Sequence, residues 1–332
     1  MRRLLNTSLK LLVSCGLIFY LTRQIDLEGL GTAFVHLRLW LAAAAVMSFV
    51  LSNFLGAVQW YLLLRAQGLE ISFRQALVFY HVGVFFNNVL LGNIGGDALR
   101  IYDVQRLTGA ASAGVAATFM DRFIGLFSTC SLALAAYPLI AHTQGVWLTS
   151  VLVPVWLGLI ALASVGLSRR LGGFLEDRIL PFLPQRLGDL GRHLRGRIVV
   201  YRHRGRLLLG IWTISLTVQF CRILVYFLAG LALGMAPGLL YFVCFQPVAA
   251  VLAALPVSVG GLGVRENTLV TLFRSVGIQQ EVSTAMSLLG YLTGIVASLV
   301  GGVAFVLRRV HRGPAPSAGV AEHASDTPPP GH

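Results

Sequence analysis

Two short polar segments interrupt a chain that is otherwise apolar, and each contains a glycine pair followed by an arginine. The first spans residues 87–100 and reads NNVLLGNIGGDALR, and the second spans residues 256–265 and reads PVSVGGLGVR. Arg100 and Arg265 each follow the glycine pair at the same distance, so the two motifs superimpose in one register. Lipid cannot hydrogen-bond an open backbone, so a broken polar segment at membrane depth must be buried in protein or face water. Two such segments in corresponding halves predict a transporter-type binding site.

The motif arginines have two open interpretations. An arginine beside free backbone N–H groups can receive an anion, whereas an arginine at the membrane interface can simply extend its charged head toward water. Asp97 and Glu266 are expected to pair with these arginines or to accept a proton. The candidate substrate-binding residues of the two segments are Asn87, Asn88, Asn93, Gly95, Gly96, Asp97, Arg100, Pro256, Ser258, Gly260, Gly261, Arg265 and Glu266.

Three further charged candidates, Asp121, Arg122 and Arg222, lie inside long apolar runs. Ionisable residues at membrane depth are costly and mark either a pathway or an internal pair. In one interpretation Asp121 forms a structural ion pair with Arg122 or Arg222 and locks helices together. In the other, the arginines hold a lipid phosphate, which suits the planar guanidinium group. The amides of Asn53 and Gln219 are expected to form hydrogen bonds between helices.

Composition places the chain among polytopic membrane proteins. Of its 332 residues 56% are hydrophobic and 12% are charged, and the mean hydropathy is +0.76. The net charge of +13 comes almost wholly from arginines beside apolar runs, which indicates membrane topology and anionic lipid as a partner rather than nucleic acid. The four cysteines lie in apolar runs without metal-ligand spacing, so we expect neither a metal nor another cofactor.

Charge placement predicts the topology. The apolar runs span about 8–22, 39–64, 76–91, 113–140, 146–167, 207–233, 239–256 and 283–307. The loop 169–206 contains ten arginines and three carboxylates and should be cytoplasmic, as should both termini. If the N-terminus and this loop are both cytoplasmic, the chain must cross the membrane an even number of times between them. Five apolar runs precede the loop, so one of them should not span the membrane. Run 76–91 is the shortest candidate, since 16 helical residues cover about 24 Å and the hydrocarbon core is roughly 30 Å thick.

The predicted fold is therefore an all-α polytopic membrane protein with about six spanning helices and two opposed re-entrant hairpins that form an inverted repeat. The second hairpin, 239–275, would enter from the opposite face. Residues 1–312 form the membrane domain, with halves at about 38–167 and 207–307 around the basic cytoplasmic loop 168–206. This loop is expected to contain a short amphipathic helix on anionic lipid, and residues 313–332 are expected to be disordered.

The motifs N-x-x-L-x-x-x-x-G-G-D-x-x-R, Asp121-Arg122 and L-P-x-S-x-G-G-L-G-x-R-E together resemble the flippase-like family named for the transmembrane region of lysylphosphatidylglycerol synthase. The resemblance covers about residues 5–310. It implies a bacterial inner-membrane protein that moves lipids or lipid-linked molecules between leaflets. In the synthases of this family a cytoplasmic aminoacyl-transferase domain follows, whereas this sequence continues only to a short tail. We therefore expect a stand-alone member rather than an enzyme.

The function predicted from the residues and the resemblance is translocation of an anionic or amphiphilic lipid between leaflets. One alternative is an accessory subunit that hands lipid to a lipid-biosynthesis enzyme, and homo-oligomerisation is a further option. The other alternative is a membrane-embedded enzyme acting on lipid phosphates, with Asp97, His81 and Asp121 as acid and base. The sequence offers that alternative no nucleophile motif or metal-ligand spacing.

Overall fold

The structure, a computed structural model, describes residues 34–35, 37–89, 95–141, 147–168, 173, 185–202, 204–254 and 263–307. These residues form helices joined by turns, and none of them lies in a β-strand. Helices satisfy their backbone hydrogen bonds internally, which a bilayer requires. The described residues include a short 3₁₀ helix, Tyr137–Leu139, and ten α-helices: α1 (Leu39–Ala66), α2 (Phe73–Val89), α3 (Gly95–Thr108), α4 (Ala111–Ala136), α5 (Trp147–Leu167), α6 (Gln185–Val199), α7 (Gly205–Ala232), α8 (Leu239–Ala254), α9 (Val264–Arg274) and α10 (Gln280–Leu307).

Five of these helices, α1, α4, α5, α7 and α10, are long and apolar enough to cross a membrane. They coincide with five of the predicted spans, and the predicted first span, 8–22, lies outside the described residues. Helices α2 and α8 contain 17 and 16 residues and do not reach the length of a span. The prediction of an all-α polytopic membrane protein is therefore confirmed.

Helices α1–α4 and α7–α10 form two corresponding series. Their first members, α1 and α7, both contain 28 residues. Both helices end in the same turn, at Gly68 with φ +80° and at Gly234 with φ +78°. The N–H of the next residue in each turn donates to a carbonyl five residues earlier, which completes the helix end. Gly109 and Gly277 likewise follow α3 and α9 with positive φ.

The two series run in opposite directions. The backbone N–H of Arg38, just before α1, donates to the carbonyl of Ala232 at the end of α7 over 2.9 Å. At the other end of α1, the Leu63 carbonyl accepts a hydrogen bond of 3.1 Å from the hydroxyl of Tyr201, which precedes α7. Helices α1 and α7 therefore pack antiparallel, as the predicted inverted repeat requires.

Helix α2 ends, and helix α3 begins, near the middle of the bundle. Near the end of α2, the Asn88 side-chain amide donates to the carbonyl of Gly294, close to the middle of the 28-residue α10. The carboxylate of Asp97, in the first turn of α3, contacts Arg122 near the middle of the 26-residue α4. Helices α2 and α3 therefore each cover about half of the membrane. Entry of the pairs α2–α3 and α8–α9 into the membrane as re-entrant hairpins stays a prediction.

Candidate functional site

A cavity of about 270 Å³ lies between the two helix series. Its most polar feature is a set of four arginines, two from each series: Arg100 and Arg122 from α3 and α4, and Arg222 and Arg265 from α7 and α9. The fold thus brings together arginines from opposite halves of the sequence. The complete lining comprises Phe49, Asn53, Tyr80, Val84, Asn87, Asn88, Arg100, Arg122, Thr129, Gln219, Arg222, Tyr226, Gln246, Ala250, Ala253, Ala254 and Arg265.

Asp97 is the acceptor that connects three of the helices around the cavity. Its Oδ1 atom accepts hydrogen bonds from Arg100 Nη2 at 2.6 Å, from Arg122 Nη2 at 2.7 Å and from Asn87 Nδ2 at 3.1 Å. Its Oδ2 atom accepts a fourth bond, from Arg122 Nε at 2.8 Å. One carboxylate therefore orients two arginines and joins α2, α3 and α4.

The position of Asp97 depends on a close crossing of α2 and α3. The backbone N–H of Gly96 donates to Asn87 Oδ1 over 2.9 Å. A Cβ atom on Gly96 would lie 2.7 Å from that same oxygen and would collide with the carbonyl of Gly83. Only glycine permits this approach, and the Gly96–Asn87 contact fixes the first turn of α3 against α2.

Arg100 is enclosed. Its side chain is 2% exposed, and its guanidinium carbon lies 5.2 Å from the ring centre of Trp60 and 4.9 Å from that of Tyr80. Its Nη1 donates to Asp121 Oδ2 over 3.4 Å, while Gln59 Nε2 donates to Asp121 Oδ1 over 2.9 Å. Two carboxylates and two aromatic faces thus compensate the burial of this charge.

The predicted pairing of Asp121 with Arg122 or Arg222 is wrong, because the structure pairs Asp121 with Arg100 and Arg122 with Asp97. Successive residues of an α-helix point about 100° apart, so the neighbours Asp121 and Arg122 face different partners. The predicted pairing of Asp97 with Arg100 is confirmed.

Arg265 occupies the corresponding place in the second series. Its guanidinium carbon lies 6.0 Å from the ring centre of Tyr226 and 5.9 Å from that of Tyr291. Its Nη2 donates to Glu266 Oε1 over 2.9 Å, as predicted, and Glu266 Oε2 also accepts from the Gly263 N–H at the start of α9. The Arg265 side chain is 25% exposed, so this arginine is more accessible than Arg100.

Arg222 and Asn53 lack partners for buried polar atoms. The Nε atom of Arg222 and both amide atoms of Asn53 have no hydrogen-bond partner among the described residues. Asn53 is 1% exposed and lines the cavity. A buried polar atom without a partner is unfavourable, so a molecule that enters the cavity could satisfy these atoms.

The second series offers an amide opposite Asn53 that the sequence analysis did not identify as a site residue. Gln219 has the same place in α7 that Asn53 has in α1, since each is the fifteenth residue of its helix, and both line the cavity. The sequence alone predicts that both amides form hydrogen bonds between helices. Aligning the two series by the starts of α1 and α7, instead of by the glycine motifs, identifies them as corresponding residues.

The remaining predicted site residues lie beside or outside this cavity. Gly95 begins α3, and Asp97, Asp121 and Glu266 hold the arginines without being among the lining residues. His81 Nδ1 donates a hydrogen bond of 2.9 Å to the Leu77 carbonyl, and His81 does not line the cavity. Five predicted residues lie outside the described part of the chain: Asn93, Pro256, Ser258, Gly260 and Gly261.

The charges around the cavity favour an anion. Among the described residues, four arginines face it, and three carboxylates act as their partners, Asp97, Asp121 and Glu266. One positive charge therefore remains uncompensated, and the ion pairs of the described residues do not include Arg222. The same residues contain no group of three or more His, Cys, Asp or Glu side chains that could hold a metal.

Comparison with known proteins agrees with this architecture. The sequence model for the transmembrane region of lysylphosphatidylglycerol synthase matches residues 8–302. The chain belongs to this family. A UPF0104 membrane protein of Methanothermobacter thermautotrophicus is 24% identical over 311 residues, which cover 84% of this chain and 85% of the relative. A UPF0104 membrane protein of Pyrococcus horikoshii is 21% identical over 292 residues, covering 80% and 86% respectively.

Membership of the lysylphosphatidylglycerol synthase transmembrane family establishes a multi-pass membrane protein, and the match extends from before α1 into α10. It is consistent with a role in lipid metabolism or transport. The arginines of the cavity all fall within the matched residues.

Proposed function

We propose that this protein translocates an anionic or amphiphilic lipid, or a lipid-linked molecule, between the leaflets of the inner membrane. The observation that carries this proposal is the convergence of four arginines from two oppositely oriented helix series on one cavity. A membrane-embedded cavity that concentrates positive charge suits the phosphate of a lipid head group. The apolar tails would stay in the bilayer while the head group occupies the cavity.

The four arginines of the cavity have two different roles in this proposal. Arg222, Arg265 and the 47%-exposed Arg122 contact the head group, because each lines the cavity and is more exposed than Arg100, whose side chain is 2% exposed. Arg100 contributes positive charge from its buried position, and its two ion pairs orient the carboxylates of Asp97 and Asp121. Asp97, Asp121 and Glu266 balance the charge of the arginines whenever the cavity holds no anion.

The inverted arrangement of the series supplies a route for alternating access. The cavity is lined by α1–α4 on one side and α7–α9 on the other, so rocking of one series against the other would open it toward either leaflet. The glycine-containing breaks of α2–α3 and α8–α9 would then enter from opposite faces as re-entrant hairpins. This movement requires only rigid-body motion of one series, and the same residues line the site before and after it.

The proposed orientation of the protein in the membrane follows from the end of the bundle that contains the basic segment. The hydroxyl of Tyr201 bonds the Leu63 carbonyl, and the Gln67 amide donates to the Arg197 carbonyl over 3.0 Å. The end of α1 and the start of α7 thus share one end of the bundle with the arginine-rich segment. The positive-inside rule assigns this end to the cytoplasm, and we propose that both termini lie on the same side.

The direct test is a leaflet-exchange assay in proteoliposomes. A lipid that carries a chemically reducible fluorophore on its head group is incorporated in both leaflets, and a membrane-impermeant reductant is added outside. Without translocation the inner-leaflet probe survives, whereas a translocating protein exposes it to the reductant. Probes with phosphate-bearing head groups of different size rank the substrates, and protein-free vesicles give the background.

A further inference from the structure

A second concave surface, away from the central cavity, lies where the basic segment meets the bundle. This groove has a volume of about 150 Å³ and is formed by α4, α5 and α6. All but one of its lining residues are apolar or glycine, and the exception is Arg195. The lining residues are Phe119, Met120, Phe123, Leu162, Ala163, Val165, Gly166, Leu167, Gly191, Arg195 and Ile198.

Helix α6 contributes one face to the groove, through residues spaced as neighbours on a helix. Gly191, Arg195 and Ile198 follow one another at intervals of four and three residues, so they share a face. Helices α5 and α6 approach each other here, since a Cβ atom on Gly166 would lie 3.4 Å from Ile198 Cγ2.

Hydrogen bonds hold α6 across the end of the bundle. Arg195 Nη2 donates to the carbonyl of Ser168, the residue after α5, over 3.4 Å. The Arg197 carbonyl accepts from the Gln67 side chain, and the Tyr201 hydroxyl reaches the Leu63 carbonyl. The groove is therefore at the end of spans α1 and α5, the level at which lipid head groups meet acyl chains.

The groove combines an apolar floor with a basic rim. A second depression on α6 is lined by Arg192, Gly196, Arg197 and Val200, and Arg192 is exposed. Arg192 and Arg195 are three residues apart and neighbour each other on the helix surface. These two arginines give the rim a positive charge, and they belong to a segment, 169–206, that contains ten arginines and three carboxylates.

The groove also borders the bilayer. Of the five spans, α5 is the most apolar and the least covered by protein, with 11% of its apolar window buried. Leu162 lines the groove, is 50% exposed and lies five residues before the end of α5, about 7.5 Å along the helix axis. An acyl chain at that depth can enter the groove sideways from the membrane.

We propose that this groove is a binding site for a resident anionic phospholipid. One acyl chain lies in the groove between α4, α5 and α6, and the phosphate contacts the arginines of α6. Charge decides the class of lipid, because a zwitterionic head group would gain little from the rim, whereas an anionic one is attracted by each nearby arginine. The lipid would attach α6 to the end of α5 and is separate from the molecule in the central cavity.

The test measures lipid retention by native mass spectrometry on the purified, detergent-solubilised full chain, with phosphatidylglycerol and phosphatidylethanolamine added in turn. The wild type is expected to retain phosphatidylglycerol about tenfold more strongly than phosphatidylethanolamine. Ala163→Phe fills the groove and should lower this retention about tenfold, because several methylene groups lose their burial. Ala161→Phe is the matched control, since Ala161 is exposed on the same helix and does not line the groove.

Rim charge is tested separately. Arg192→Gln with Arg195→Gln should abolish the preference for phosphatidylglycerol, while Arg204→Gln with Arg206→Gln, which removes two exposed charges that line neither depression, should keep it. Ala163→Phe should cause the same loss of retention in the wild type and in an Arg222→Gln background, which separates this site from the central cavity. Equal retention of both lipids by the wild type, unchanged retention in Ala163→Phe, or a protein instead of a lipid on this surface would overturn the proposal.

Discussion

Arg122 and Asp97 are joined by two hydrogen bonds, 2.8 Å from Arg122 Nε to Asp97 Oδ2 and 2.7 Å from Arg122 Nη2 to Asp97 Oδ1. This pair connects the first turn of α3 to the middle of α4, while the Arg122 side chain remains 47% exposed. A charge-assisted pair of this geometry is among the stronger interactions in proteins. Asp97 therefore fixes both the α2–α3 break and one wall of the cavity.

Asp97→Asn should destabilise the protein by about 3 kcal/mol, because Arg100 and Arg122 would lose the carboxylate that compensates their charge. The change is measured as the denaturation midpoint in detergent. Glu70→Gln, which removes an exposed carboxylate, is the matched control and should have little effect. An unchanged midpoint for Asp97→Asn would contradict the role of this residue as the central acceptor.

Gly96→Ala should destabilise the protein by about 1–3 kcal/mol, since its Cβ atom would collide with Gly83 and approach Asn87 Oδ1 to 2.7 Å. Gly158→Ala, inside α5, meets nothing within 4 Å and should be neutral or stabilising by up to about 1 kcal/mol. The two variants are compared by thermal unfolding. Equal effects would show that the α2–α3 crossing is looser than the structure indicates.

Ser72→Cys and Gly238→Cys test the opposed orientation of the two series. Both residues are exposed, and each immediately precedes a corresponding helix, α2 or α8. In a cysteine-free background and a closed membrane, an impermeant thiol reagent should label Gly238→Cys from outside and Ser72→Cys only after the membrane is opened. Labelling of both from the same side would exclude the inverted arrangement.

Tyr201→Phe should weaken the attachment of the basic segment to α1. Burial raises the pKa of Tyr201 to about 12, so its hydroxyl is protonated at neutral pH and donates to the Leu63 carbonyl. Loss of this bond should cost about 1 kcal/mol. Limited proteolysis within 185–204 reports the effect, which should appear as faster cleavage. Tyr241→Phe is a control on a half-buried ring away from this contact, and equally fast cleavage in both variants would argue against the anchor.

The sequence predicted the helical class and most spans because apolar runs of span length admit few alternatives in a bilayer. It also predicted that Arg100 and Arg265 correspond, since the glycine motifs preserve their spacing. Ion-pair partners were harder to predict. Asp121 and Arg122 are neighbours in the chain, but their directions on α4 differ, and the identity of each partner depends on how α3 packs against that helix.

Two side-chain amides of the cavity could not be predicted as site residues from the sequence. Asn53 and Gln219 are ordinary polar residues within apolar helices, and only the packing of α1 against α7 places both at the cavity. Their correspondence follows from the helix starts and not from the glycine motifs, whose register differs by one position. Gly68 and Gly234 mark the register of the helices, because both glycines stop corresponding helices with the same turn.

Arg222→Gln is the variant that separates binding from folding. Arg222 lines the cavity and takes part in none of the ion pairs among the described residues, so its replacement leaves no carboxylate without a partner. We expect an unchanged denaturation midpoint together with slower leaflet exchange, by about tenfold or more, because a hydrogen bond to a charged group contributes about 1.5–3 kcal/mol. Arg274→Gln removes an exposed arginine at the end of α9 and is the charge-matched control.

The most direct measurement is the rate of leaflet exchange of a phosphate-bearing lipid probe in proteoliposomes that contain the wild type, Arg222→Gln or Arg274→Gln at equal protein density. Lipid translocation through the arginine cavity predicts fast exchange for the wild type and Arg274→Gln, and exchange near the protein-free background for Arg222→Gln. Background exchange in the wild type, with an ion gradient imposed in either direction, would contradict translocation. Fast exchange that Arg222→Gln leaves intact would contradict the cavity as its route.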